Sequence, residues 1–205
     1  MAYPTVSAPY GFKPINRQDG MPYAGATTQY TIASSYNTAI YNGDLVYVTA
    51  GTVAKSGVTT NATTSGNLTA GVFVGCQYVN TMGQTVQAQY YPGNVAATSA
   101  IAYVVVDPQA AYKVAVTDGS DAVSSTTVAA IGVNLAVDQG TGSTTTGDSA
   151  NGVVAPSSGA GNATTLPVKV IAVVPETAIN ATNFREVLVV LTNPQLTRTT
   201  GNDFA

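Results

Sequence analysis

The chain has 205 residues, a length at which an all-β protein normally forms one domain with a sizeable core. Charged residues make up only 8% of it, and its seven basic residues are scattered singly, so nucleic acid is not an expected partner. Valine occurs 28 times and threonine 30 times, against seven leucines. Because β-branched side chains suit pleated sheets better than helices, the composition predicts an all-β protein.

The first 25 residues combine closely spaced prolines with aromatic side chains. Prolines at this spacing prevent a helix or a central strand, so residues 1–25 are predicted to form an extended arm and residues 26–205 a single β-rich domain. Aromatic side chains on an arm need a surface, either the protein's own sheet or a neighbouring subunit. The residues proposed to contact a partner are Tyr3, Tyr10, Phe12, Lys13 and Tyr23.

Apolar or alternating runs separated by turn residues predict a series of short strands. In the first half of the chain they lie at residues 29–33, 45–48, 52–55, 71–79 and 85–91. The last two are predicted to form a hairpin. Two glycines in the 71–79 run flank three apolar residues, and glycine inside a strand often marks a bulge or a close backbone approach.

The run at residues 101–106 contains three consecutive valines, which predicts a strand covered on both faces. Asp107-Pro108 ends it in a turn, since proline lacks the N–H that a strand ladder needs. Residues 112–116 then alternate between the two faces of a second strand. The two runs are therefore predicted to pair as a β-hairpin in the middle of the core.

In the second half of the chain, residues 123–140 fit a helical spacing only loosely, and we expect one short helical turn followed by a strand at 132–137. Stretches rich in Gly, Ser and Thr predict long loops at 139–147 and 157–165. Strong strands are expected at 166–174 and 184–191. Without the strand-helix alternation of a parallel sheet, about eight to ten antiparallel strands predict a β-barrel or β-sandwich.

Side chains that carry chemistry are scarce. There is no histidine and one cysteine, Cys76, which argues against zinc, haem and most other transition-metal sites and predicts no cofactor. Cys76 lies in an apolar run and is predicted to be a small buried hydrophobe. No motif pairs a serine with one of the four lysines, and the two glutamates, Glu176 and Glu186, give no recognisable catalytic pair. The chain is not expected to be an enzyme.

Two weaker sites stand as alternatives. Asp118 and Asp121, with Asp138 or Asp148, could supply oxygen ligands to calcium, although aspartates in such sequences usually form turns. Twelve tyrosines could line a sugar-binding face, or serve as core side chains and interface anchors. The N-terminus lacks the pattern of a signal peptide and no run is long and apolar enough to cross a bilayer, so a membrane is not an expected partner.

Four segments together carry a resemblance to a known family. They are APYGFKP at residues 8–14, AYVVVDP at 102–108, GTGSTTTG at 140–147 and the closing LTNPQL at 191–196. With these segments the chain resembles small structural proteins of tailed bacteriophages that decorate or cement the mature head. It departs from that family's pattern after the Asp-Pro turn, where Gln109-Ala-Ala-Tyr-Lys113 replaces a more acidic stretch.

The resemblance implies a non-enzymatic, β-rich subunit that is made in the host cytoplasm and binds the outer surface of the virion head. There it would stabilise the capsid lattice by bridging neighbouring capsid subunits. The expected partners are the major capsid protein and further copies of the chain, as a dimer or trimer. The alternative is a tail-fibre or receptor-binding β domain that binds host surface glycans.

Overall fold

A computed structural model describes residues 6–63, 66–95, 100–156 and 163–197. The chain is almost entirely β, which confirms the predicted fold class. The described residues contain thirteen strands, more than the eight to ten predicted. The chain forms one strand in the predicted arm and one at residues 152–154, where no element was predicted, and the strand predicted at 132–137 is divided into two. The strands are β1 Lys13–Arg17, β2 Thr28–Ile32, β3 Leu45–Thr49, β4 Thr52–Lys55, β5 Gly71–Val79, β6 Thr85–Ala88, β7 Ala100–Val105, β8 Ala110–Thr117, β9 Asn134–Leu135, β10 Val137–Asp138, β11 Gly152–Val154, β12 Val168–Val173 and β13 Glu186–Leu191.

Short 3-10 helices lie between or after the strands at Val128–Ala130, Pro175–Thr177 and Gln195–Thr197. The first is the short helical turn that the sequence predicts. The strand expected after it is present but broken at Ala136, which separates the two-residue strands Asn134–Leu135 and Val137–Asp138. None of the helices in the described ranges has the length or hydropathy needed to span a membrane.

The first sheet closes on itself. Its strands pair in the order β3-β4-β2-β7-β5, and β3 also pairs with the first residues of β5, so these five strands form a barrel. β6 continues the ladder along the second half of β5 as the predicted hairpin. All pairs are antiparallel except β2 with β4. Closure removes most free strand edges.

The second sheet has the order β10-β11-β8-β13-β12-β9, with β1 beside β8. Its pairs are antiparallel except that of β11 with β8. Because only Ala136 separates β9 from β10, the chain itself connects the two ends of this sheet, which therefore curls round. Both sheets are thus barrel-like, as one of the two predicted architectures requires.

The core has two clusters, and side-chain alternation along the strands separates them. In the first sheet Val46, Phe73 and Val104 point into the barrel. Their chain neighbours Leu45, Val72 and Val105 point outward and pack with the apolar face of the second sheet. Successive side chains of a strand point to opposite faces, so each of these strands contributes to both clusters. This shared layer joins the two sheets.

The predicted hairpin at residues 101–116 is wrong. Its two runs are strands β7 and β8, but β7 pairs with β2 and β5, whereas β8 pairs with β13, β1 and β11. Asp107 does form a turn, in which its carboxylate accepts a hydrogen bond from Gln109 N at 2.9 Å. That turn carries the chain from one sheet to the other. The main-chain N–H and C=O groups of a buried strand need hydrogen-bond partners along both of its edges. For β7 and β8 these partners come from other strands rather than from each other.

The predicted glycine features of the 71–79 strand are confirmed. A Cβ built on Gly71 would lie 2.1 Å from Val105 O, so β5 and β7 approach each other more closely there than any side chain allows. The ladder between β5 and β7 shifts register between Phe73 and Gly75, which is the irregularity expected of a bulge.

The prediction of an arm separate from the domain is wrong for the described part of that segment. Residues Lys13–Arg17 form β1, which pairs with β8, and Phe12 is 0% exposed within the core. The Phe12 ring packs edge-on against Tyr112, with ring centroids 6.4 Å apart. Pro14 is accommodated because β1 lies at the edge of the ladder, where a missing N–H costs little. Folding back onto the protein's own sheet, the alternative for this segment, is what occurs.

Candidate interaction surfaces

The N-terminal segment before β1 is held against the rest of the protein by main-chain hydrogen bonds. Gly11 N donates to Asn151 O and Phe12 N donates to Gly43 O, each at 3.0 Å. Farther out, Arg185 Nη1 donates to Val6 O at 2.8 Å. These bonds place residues 6–12 along the edge where the two sheets meet.

Glycine makes this close approach possible. Gly11 and Gly43 have φ values of +80° and +96°, a region that side chains other than glycine rarely adopt. A Cβ on Gly43 would lie 2.9 Å from Phe12 N, and one on Gly11 would lie 2.9 Å from Gly43 Cα. The two glycines therefore allow the N-terminal segment to reach the turn at residues 41–44.

Tyr10 belongs to a partly buried cluster on the second sheet. Its hydroxyl donates a hydrogen bond to Glu186 Oε1, and Lys113 Nζ lies 3.6 Å from the same oxygen. The Lys113 ammonium also lies 5.8 Å from the centroid of the Tyr10 ring. Burial, and then the hydrogen bond to the Glu186 carboxylate and its charge, raise the pKa of Tyr10 well above its usual value.

Lys13 lies at the centre of a second cluster. Its Nζ is 2.6 Å from Asp148 Oδ1 and 2.7 Å from Asn42 Oδ1. Gln89 Nε2 donates to the same Asp148 oxygen at 3.0 Å, and Asn42 Nδ2 donates to Val74 O at 3.0 Å. Each of these four side chains therefore has a hydrogen-bond partner inside the protein.

Asp44 is the buried charge that fixes the neighbouring turn. Its residue is 0% exposed, and its carboxylate accepts hydrogen bonds from Tyr41 N at 2.9 Å and from Ser149 Oγ at 2.6 Å. Lys55 Nζ, from β4, lies 3.1 Å from Asp44 Oδ2. A buried carboxylate needs such partners, because an unpaired buried charge is strongly destabilising.

The five proposed contact residues thus have different fates. Phe12 is a core side chain and cannot touch a partner, so that prediction is wrong. Tyr10 and Lys13 keep part of their surface but hold intramolecular partners, as above. Tyr23 is half-buried, its hydroxyl donates to Ala26 O at 2.7 Å, and burial followed by the Asp107 charge raises its pKa. Tyr3 lies outside the described residues.

A cleft that the sequence did not indicate lies beside the first 3-10 helix. It has a volume of about 390 Å³ and is lined by small and hydroxyl side chains: Ser125, Thr126, Thr127, Ala129, Ala130, Pro156 and Asn183. Two large apolar side chains of the same segment face solvent, Val128 at 58% and Ile131 at 47% exposure. Val128 and Ile131 fit neither the 3.6-residue repeat of a helix nor the two-residue repeat of a strand. This misfit is the sequence signal that could have identified them as exposed.

Ile179 adds a third exposed apolar side chain on the adjoining loop, at 44% exposure. That loop is tied to the cleft segment because Phe184 and Thr126 exchange main-chain hydrogen bonds, both at 2.8 Å. We call Val128, Ile131 and Ile179, together with the cleft, the apolar face. Exposed apolar side chains beside a polar rim are typical of protein contact surfaces.

The carboxylates proposed for calcium have partners within the protein, and the Asp118 carboxylate forms a turn. Asp118 Oδ1 accepts from Ser120 N at 2.9 Å, and Asp138 Oδ2 accepts from Asp121 N at 3.0 Å. Asp148 is committed to Lys13. Across the part of the chain that the structure describes, no three side chains of His, Cys, Asp or Glu are grouped to hold a metal ion.

Cys76 is buried as predicted, at 1% exposure, and its Sγ lies 3.4 Å from Tyr90 O. Burial raises the pKa of its thiol to about 12, so the reactive thiolate is suppressed.

The chain matches no protein-family model, and its comparison with the curated proteins and with the solved structures found no match.

Proposed function

We propose that the chain is a structural subunit that decorates the outer surface of a tailed-phage head and stabilises the capsid lattice by bridging neighbouring capsid subunits. The sequence resemblance supports this role. The structural observation that carries it is the apolar face, where Val128, Ile131 and Ile179 are exposed on two segments that also line a cleft rich in hydroxyl side chains. Such a surface gains free energy when a partner covers it.

The fold suits a mechanical role. A head filled with DNA pushes outward, and a subunit bound across two capsomers resists expansion because its buried interface would have to break. A bridge must itself be stiff to transmit that resistance. Two curled sheets that share one apolar layer provide a compact body with few free edges.

The proposed contact surface is therefore centred on the apolar face. Tyr10, Lys13 and Tyr23 remain candidates for the rim of the contact, since each keeps some exposed surface. In this proposal the major capsid protein is the main partner, and the chain self-associates as a dimer or trimer. With only 8% charged residues, little electrostatic repulsion opposes that self-association.

The glycan-binding alternative stays a prediction with no observation in its favour. The groove of a glycan-binding domain would be expected to contain aromatic rings that stack on the sugar and acidic side chains that bind the sugar hydroxyls. The cleft contains neither, because its lining consists of serine, threonine, alanine, proline and asparagine. Incubation with a glycan array separates the two functions, since the decoration proposal expects no specific sugar to be bound.

A paired substitution on the apolar face tests the contact. We expect Val128→Asp combined with Ile131→Asp to weaken binding to undecorated heads by at least about 30-fold, the equivalent of about 2 kcal/mol for a hot-spot pair. The measurement is saturation binding to purified heads, followed by sedimentation.

Met82→Asp is the matched control, because Met82 is 82% exposed at the tip of the β5–β6 hairpin in the first sheet and is not part of the apolar face. Its affinity should equal that of the unaltered protein. Unchanged affinity in the paired variant would place the contact elsewhere. Deleting residues 1–25 is not an informative test, since it removes Phe12 and β1 and thereby disrupts the core.

A further inference from the structure

Three side chains that can react together meet where β1, the turn at residues 41–44 and the loop at residues 140–149 come into contact. Lys13 Nζ lies 2.7 Å from Asn42 Oδ1 and 2.6 Å from Asp148 Oδ1. An amine, a carboxamide and a carboxylate are a nucleophile, an acyl donor and a proton acceptor. We propose that Lys13 and Asn42 become joined by an intramolecular isopeptide bond, with Asp148 as the base.

The backbone holds the three residues in place before any reaction. Asn42 N donates to Gly147 O and Ser149 N donates to Asn42 O, both at 3.0 Å, which fixes Asn42 beside Asp148. The bond from Phe12 N to Gly43 O fixes Lys13 beside the same turn. Groups held in contact in this way react as if at very high concentration, because the entropy of bringing them together has already been lost.

The Asn42 amide is held in one orientation, with its oxygen on the side of Lys13. Asn42 Nδ2 donates to Val74 O at 3.0 Å, which turns Oδ1 towards Lys13. The carbon Cγ lies one carbonyl bond, about 1.2 Å, behind the oxygen that Lys13 already contacts. The Lys13 and Asp148 side chains are 29% and 36% exposed, so the cluster is partly sheltered from water.

The reaction needs no co-reactant. Asp148 takes a proton from the Lys13 ammonium, and the free amine attacks Asn42 Cγ to form the new N–C bond. The Cγ–Nδ2 bond then breaks, and the second proton of the attacking nitrogen passes through Asp148 to the leaving nitrogen. Ammonia departs and takes up the remaining proton as ammonium, which leaves Asp148 ionised. One ammonium and one carboxamide are thus converted into one secondary amide and one ammonium ion.

Asparagine followed by glycine also has a competing reaction, in which the glycine nitrogen attacks the asparagine side chain and expels ammonia. Here Gly43 N is engaged as a donor to Phe73 O at 2.8 Å. That hydrogen bond holds the Gly43 nitrogen away from the cyclisation, whereas Lys13 Nζ already contacts the Asn42 side-chain amide through Oδ1. Both reactions lose the same mass, so the test must distinguish them by connectivity.

The consequence of the bond is a covalent tie between the sheets. Lys13 lies in β1 of the second sheet, and Asn42 lies in the turn that leads into β3 of the first. The N-terminal strand would then be unable to detach from the barrel without breaking a covalent bond. This inference concerns the chain alone and does not depend on the proposed function.

Mass spectrometry of the purified, denatured full-length chain tests the proposal. We expect an intact mass lower than that of the sequence by one ammonia. Trypsin cleaves after Arg17 and Lys55 but not at Lys13, because Pro14 follows it. We therefore expect peptides 1–17 and 18–55 to be recovered as one branched species, with fragment ions that place the link between Lys13 and Asn42.

Three variants should each restore the full sequence mass and two separate peptides. Lys13→Arg keeps the ion pair with Asp148 but cannot form the amide, Asn42→Ala removes the acyl group, and Asp148→Asn removes the base. Lys113→Arg is the matched control, since Lys113 pairs with Glu186 and should leave the branched peptide intact. Separate peptides from the unaltered protein, or an ammonia loss that persists in Lys13→Arg, would overturn the proposal.

Discussion

Tyr112 illustrates how burial of one side chain sets the response of this protein to pH. The residue is 1% exposed, and its hydroxyl lies 3.4 Å from Val105 O in the layer between the sheets. Burial, and to a smaller extent the charges of Tyr23 and Asp107, raise the pKa of Tyr112 above its ordinary value of 10.0. The folded protein therefore keeps a proton that the unfolded chain releases in alkali.

The sign of the resulting effect on stability follows from this difference. Below pH about 10 both states hold the proton, so Tyr112 contributes no pH dependence there. Above that pH the unfolded state alone ionises, and the free energy of unfolding falls by at most about 1.4 kcal/mol per pH unit for this residue. Urea unfolding across the alkaline range should show a shallower decline in Tyr112→Phe than in the unaltered protein. Equal slopes would mean that Tyr112 ionises alike in both states.

Single residues were predictable from sequence where one neighbourhood decides their environment. The burial of Cys76 follows from the apolar run around it, and the turn role of Asp118 follows from the Gly-Ser that comes next. The Lys13, Asn42 and Asp148 cluster could not be predicted in this way. Its members are far apart in the sequence, and only the pairing of the segments that carry them brings them together.

Strand β1 depends on Phe12, the residue immediately before it, for its attachment to the core. Phe12 packs in the same cluster as Tyr112, Val114 and Val187, which belong to the two central strands of the second sheet. We expect Phe12→Ala to lower the free energy of unfolding by about 3–5 kcal/mol, because the site would lose a large buried ring and retain a cavity. Chemical denaturation at neutral pH measures this loss.

The control for that prediction is Met82→Ala, an exposed site where the change should stay within about 0.5 kcal/mol. A similar small effect for Phe12→Ala would show that the N-terminal segment is not part of the stable core. The prolines around Phe12 favour an arm when read locally. A proline is nevertheless compatible with a strand at a sheet edge, and nothing in the local pattern shows that such an edge is available.

Elements were predictable where their own residues define both their ends and their partners. β4 and β5 were predicted with the bounds they have, and the β5–β6 hairpin follows from a short turn between two strands. The pairing of β7 with β8 was not predictable. The same turn sequence can connect two strands of a hairpin or two strands in different sheets. Which of these forms depends on the other strands of the chain that compete to pair with each strand.

At the scale of the whole molecule, the fold class follows from composition, whereas the topology does not. Valine and threonine in excess over leucine predict sheets, and frequent glycine and proline predict many short strands. Closure of the first sheet depends on two residue pairs between β3 and β5, Leu45 with Val72 and Val46 with Gly71. Two residue pairs are too few to produce a pattern in the composition or in the hydrophobic periodicity of the sequence.

The apolar face could not be predicted from the sequence either, because it is formed by segments that come together only in the folded protein. Val128, Ile131 and Ile179 lie in two segments that are far apart in the sequence and are joined by main-chain hydrogen bonds between Thr126 and Phe184. Each exposed apolar residue would be unremarkable by itself, and it is their location beside one cleft that indicates a contact surface. This surface is the structural basis of the proposed role as a bridge on the capsid.

Copy number on the virion tests that role most directly. The measurement is quantitative densitometry of purified particles on a denaturing gel, with the major capsid protein of the same particles as the internal standard. A decoration subunit bound across the head lattice should be present at about hundreds of copies per particle. A value of about a few dozen copies or fewer, as for a fibre or receptor-binding protein, would contradict the account.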